Sequence, residues 1–89
     1  MTPELFIKKF KSMNKQHVLE NTFTKGYCYY FAIILQTRFP GGRIMYDSDY
    51  AHFVYQYENK LYDITGNVTN QYTNISDKWN DTIIKDCIK

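Results

Sequence analysis

Cysteine is scarce in this sequence: Cys28 and Cys87 are its two thiols, too few for a disulfide framework. In a reducing compartment both stay free. No apolar run approaches the roughly 20 residues that a membrane-spanning helix needs. The opening MTPELFIKKFKSM lacks the apolar block and small-residue cleavage site of a secretory signal, so a cytoplasmic protein is expected. Neither sign of charge dominates. Eleven Lys and Arg face nine Asp and Glu, interspersed, for a formal net charge of +2. That balance gives no electrostatic footprint for nucleic acid. Glycine is sparse, and the PGG at 40–42 follows a helical pattern instead of preceding one, which excludes a phosphate-cradling loop. The two cysteines and two histidines never fall at the short paired spacings of a zinc site, so no metal and no cofactor is expected.

Aromatic residues are abundant instead. Nine Tyr and six Phe in 89 residues supply bulky burial to a chain long enough for one domain, 1–89. Thr2 and Pro3 open a first helix, with Phe6, Ile7, Phe10 and Met13 at helical spacing, ending near Asn14. A connection without periodicity follows. A second helix is expected over roughly Lys25 to Phe39, with Cys28, Phe31, Ala32, Leu35 and Phe39 as its buried stripe and Pro40 as its stop. From Arg43 the period changes to two. RIMYD, AHFVYQY and LYDIT read as strands joined by turns at DSDY and ENK. GNVTNQYTN reads as a polar loop or weak strand. Ser76 is the expected cap of a last helix with the stripe Trp79, Ile83, Ile84, Cys87 and Ile88. The fold class is therefore α+β: an N-terminal and a central helix packed on a small antiparallel sheet, and a C-terminal helix.

Three chemistry-bearing residues fall in a suggestive order. Cys28 lies in the first turn of the central helix, where unpaired N–H groups and the helix dipole favour a thiolate. His52 opens a strand, and Asp63 lies on the next one. With a two-residue loop at Glu58–Asn59, Tyr57 pairs with Lys60. His52 and Asp63 then become diagonal neighbours on one face, roughly 7–8 Å apart at Cα. A loop one residue longer would separate them unless a bulge corrected the register. Each residue also has a plain reading. Cys28 fits an inert core position, a disulfide or a metal ligand. His52 fits a strand residue bonded to a tyrosine, and Asp63 fits a turn acceptor. His17 is the other candidate base. Cys87 fits the core.

The stretches GYCYYFAIILQTRFPGG and HFVYQYENKLYDITG, from Gly26 to Gly66, resemble the core of papain-like and transglutaminase-like cysteine enzymes. In that superfamily a Cys opens a central helix, a His begins a strand and an acidic or amide residue lies on the neighbouring strand. The resemblance implies a papain-like core and a catalytic triad of Cys28, His52 and Asp63. The backbone N–H of Cys28, with Asn21 or Gln16 as side-chain donor, would form the oxyanion hole. Tyr27 and Tyr29 are candidate substrate-lining residues. It implies Sγ of Cys28 within about 4–5 Å of the imidazole, with His52 on the sheet face that meets the helix.

Two functions from different classes follow. One is a minimal cysteine enzyme acting on an amide of a peptide or protein, by hydrolysis or by acyl transfer. The other is a small non-catalytic binding or inhibitor protein that keeps the fold, of the size and Tyr/Asn-rich composition associated with phage proteins. Its partner would be a protein, met through exposed tyrosines. Neither nucleic acid nor membrane is expected as a partner.

Overall fold

A computed structural model of the chain describes the backbone of residues 1–12 and 28–88, with side chains to residue 85. It opens on α1 (Pro3–Ser12). The Thr2 hydroxyl accepts from the Leu5 N–H at 3.2 Å, and the Thr2 carbonyl takes the Phe6 N–H at 2.9 Å. Pro3 loses nothing at the first helical position, where its missing N–H would have had no intrahelical partner. The central helix, α2 (Cys28–Arg38), buries Cys28, Phe31, Ala32 and Leu35, with Phe39 directly after it. Those are the expected stripe. The Phe39 N–H still reaches Leu35 O at 2.8 Å, and Pro40 then stops the helix because it has no N–H to offer.

The chain returns to the sheet through Gly41 and Gly42. The Tyr55 hydroxyl holds this turn, donating to the Phe39 carbonyl and accepting from the Gly42 N–H at 3.0 Å. Gly42 is required by closeness: a Cβ there would stand 2.2 Å from Gln56 O and 2.7 Å from the Tyr55 ring.

Strands β1 (Arg43–Asp47), β2 (His52–Tyr57), β3 (Lys60–Asp63), β4 (Gly66–Asn67) and β5 (Ile75–Ser76) form one antiparallel sheet in the order β4-β3-β2-β1-β5. Glu58 and Asn59 both take positive φ, 50° and 65°, and Tyr57 pairs with Lys60. This is the two-residue primed turn whose twist suits a hairpin, and it sets the register that puts His52 and Asp63 on one face. One sheet face carries Phe53, Tyr55, Tyr62 and Ile64 against α2 and Ile7 of α1. The other gathers Val54, Leu61 and Val68 with Met45, Tyr72 and Ile75.

The expected cap at Ser76 is corrected. Ser76 ends β5, and α3 (Asp81–Ile88) starts later, capped by Asn80, whose Oδ1 accepts the Ile83 N–H at 3.1 Å. Trp79 precedes that helix. Its indole N–H donates to Ile44 O at 2.9 Å, so a polar anchor on the sheet competes with a longer helix. Ile83 and Ile84 pack on the core as expected; the Cys87 and Ile88 side chains lie outside the described residues. The α+β class stands as read from the sequence.

Candidate functional site

Cys28 is the first described residue of α2, and its thiol lies against the start of β2. The Phe53 N–H donates to Sγ at 3.4 Å. The His52 imidazole and the Tyr29 N–H also act on the thiol, both favouring its ionised form. On its far side, His52 Nε2 meets Asp63 Oδ2 at 2.9 Å. With Nε2 engaged there, Nδ1 is the nitrogen left for sulfur. Asp63 uses its second oxygen locally: Oδ1 accepts both the Thr65 N–H at 2.8 Å and the Thr65 hydroxyl at 2.5 Å. All three residues are buried, with Cys28 only 3% and His52 only 5% exposed.

Asp63 and His52 share a strand face, as the hairpin register requires. That face is the one carrying Val54 and Leu61, away from the helix, because Phe53 and Tyr55 occupy the helix side. The expectation that His52 faces the helix layer is therefore corrected. The contact survives because His52 is the first residue of β2, paired with Asp47 at the end of the ladder. At a strand end no further sheet stands between the two faces, so the ring meets a thiol lying beside the next residue's backbone N–H.

The electrostatics follow from these contacts. Burial alone would raise the Cys28 pKa, but the His52 bond, the Phe53 N–H, the imidazolium charge and the Tyr29 N–H together bring it below its usual 9.0. Burial alone would lower His52. The bond to Asp63, then the bond and charge of Cys28, outweigh it and lift the imidazole from 6.5 to about 9. Burial would likewise raise Asp63, yet the His52 and Thr65 donors hold the carboxyl below its ordinary value. The three directions agree: the charged form of each group is favoured by its neighbour. Such an arrangement can deliver a nucleophile together with a proton donor.

Sequence reasoning missed Tyr72. Its ring stacks on the imidazole, centroids 4.9 Å apart at 30°, and meets Tyr50 edge-on at 5.5 Å. It sits in the polar stretch between β4 and β5, where neither period 2 nor period 3.6 flags it. Asp47 was also missed. Fully buried opposite His52, it caps the β1–β2 turn by accepting the Asp49 and Tyr50 N–H groups on Oδ1. Tyr29, a candidate substrate-lining residue, packs edge-on against Phe53 and Trp79 at 5.1 and 5.5 Å. It belongs to the helix–sheet interface. Tyr27, Asn21, Gln16 and His17 lie outside the described residues.

A family model described as Phage YunG-like protein matches residues 6–86. The chain belongs to the phage YunG-like protein family. This corrects the resemblance drawn from Gly26 to Gly66: the family is a phage protein family, not a papain-like or transglutaminase-like enzyme family. The shared letters were few, and local structure accounts for several of them in this YunG-like chain. Ala32 fills the core stripe, Val54 fills the second sheet face, and Asp63 and Thr65 close a turn. No curated protein and no solved structure matches the chain, so the papain-like form of the core receives no support beyond the α+β class. No helix among the described residues is long and apolar enough to cross a membrane.

Proposed function

We propose that this phage YunG-like protein uses Cys28 as a nucleophile toward the acyl carbon of an amide in a peptide or protein. The observation that carries the reading is the buried His52 Nε2–Asp63 Oδ2 contact of 2.9 Å beside a thiol that His52 favours in its ionised form. In the first step the thiolate bonds to the carbonyl carbon, the C–N bond breaks, and the His52 imidazolium gives its proton to the leaving amine. In the second, neutral His52 takes a proton from water, which attacks the thioester and releases the acid and the thiolate. An amine in place of water would make the reaction acyl transfer. Asp63 holds the ring and favours its charged form throughout. A free thiol of this kind fits a reducing compartment such as the cytoplasm.

A second reading has its own support. The family match speaks for a small phage-associated protein and carries no activity with it, which fits a non-catalytic binding or inhibitor protein better than an enzyme. The burial of Cys28 and His52 points the same way. On that reading the polar line fixes α2 to the sheet. Incubation with an activated acetyl ester separates the two. The enzyme reading expects an acetyl adduct on Cys28 that forms and then hydrolyses, and that is lost in His52→Ala. Absence of any adduct on the folded, unsubstituted chain would favour the binding protein.

A further inference from the structure

The carboxylate of Asp63 serves two masters through separate oxygens. Oδ2 faces the buried imidazole, and Oδ1 is taken by the backbone and side chain of Thr65. A turn acceptor alone would need one oxygen, and a triad acid alone would need no hydroxyl from an exposed neighbour. Asp63 itself is 4% exposed while Thr65 stands at the surface. The Thr65 hydroxyl is thus the donor that fixes the rotation of a buried carboxylate from outside. Resting on the nucleophile reading above, we propose that Thr65 is a positioning residue: its hydroxyl holds Asp63 so that Oδ2 points at His52 Nε2.

The physical argument is one of charge and angle. A carboxylate held by two donors on one oxygen cannot rotate without breaking both bonds. Removing the hydroxyl leaves a single N–H on Oδ1, loosens the χ2 torsion of Asp63, and takes one charge-assisted bond from its ionised form. The imidazolium then loses part of its partner, and the thiolate in turn loses part of the imidazolium. Among the described residues, the titratable groups facing this point are Cys28 on α2, Asp47 on β1, His52 on β2, Asp63 on β3 and Tyr72 from the stretch between β4 and β5. Among the described residues none of them replaces a lost donor on Asp63 Oδ1, where the donors are both from Thr65.

The test uses the full chain with Thr65→Val, Thr65→Ala and Thr65→Ser. Two readouts are followed: the pH dependence of Cys28 alkylation by iodoacetamide, and the His52 imidazole titration by NMR. Val and Ala should both lower the His52 pKa by about one unit and move the acid limb of alkylation upward, slowing the reaction at pH 6 by about tenfold. Ser, which keeps the hydroxyl, should restore both. A role confined to the turn would change melting temperature without moving either titration, and that result would overturn the proposal. So would Val and Ala profiles that superimpose on the unsubstituted chain while that chain itself shows the lowered thiol pKa. An ordinary thiol titration in the unsubstituted chain would remove the ion pair itself, and with it the reading on which Thr65 depends.

Discussion

Replacing Asp63 with Asn tests the candidate site with little change of shape. Asp63 Oδ2 stands 2.9 Å from His52 Nε2, and both side chains are about 5% exposed. For charge centres about 4 Å apart at an effective dielectric constant of about 20, the attraction is about 4 kcal/mol, or about three pK units. Cys28 supplies part of the rise that takes His52 to about 9, so Asp63→Asn should lower it by about two units. The amide accounts for the mechanism. Its Oδ1 can still accept from Thr65, which keeps the turn, but its NH2 then faces Nε2 and can only donate. His52 must answer as a neutral acceptor with its proton on Nδ1, toward sulfur. The imidazolium is lost while the fold is kept. The sign on stability follows. The raised His52 pKa contributes stability that is fully present below about 6.5 and lost as pH rises through about 9. The difference between the parent chain and Asp63→Asn should therefore be about 2–3 kcal/mol near pH 6 and shrink toward pH 9. Urea unfolding at several pH values, with the NMR titration of His52, reads both effects. A His52 titration unchanged by the substitution would refute the reasoning.

Other expectations rest on different parts of the structure. Tyr72→Ala should uncover the imidazole face that Tyr72 stacks on and speed Cys28 alkylation several-fold at fixed pH. An unchanged rate would mean that other residues guard the thiol. Gly42→Ala should destabilise the protein by about 2–4 kcal/mol, because the new methyl meets the Gln56 carbonyl and the Tyr55 ring that grips the turn. A melting temperature within a degree of the parent would contradict that packing. Leu35→Ala, at a fully buried position of α2, should cost about 2–5 kcal/mol in urea unfolding.

The layers of this fold were legible because each element repeats its signal. Four stripe residues on α2, with Phe39 just after it, and the switch to period 2 at Arg43 needed no tertiary information. The hairpin at ENK was legible, but its length was not: the sequence left a two-residue loop open, and the positive φ of Glu58 and Asn59 settles it. What the sequence hid was set by single long-range bonds. The Trp79 indole on Ile44 O delays the last helix, and Asn80 rather than Ser76 caps it. Tyr72 reaches His52 from a stretch without periodicity. The face of His52 was misread because the resemblance placed it toward the helix, whereas period 2 keeps it with Val54 on the other face. Asp63 shows how two readings of one residue can both hold: Oδ1 is the turn acceptor and Oδ2 the imidazole partner.

An ion pair between Cys28 and His52 should show itself in the pH dependence of Cys28 alkylation. The full, unsubstituted chain is treated with iodoacetamide from pH 5 to pH 10, and the Cys28 peptide is followed by mass spectrometry so that Cys87 does not enter the rate. The account predicts a rate that already rises well below the ordinary thiol value of 9.0 and loses that early rise in His52→Ala. A single rise at or above 9.0, the same with and without His52, would contradict it.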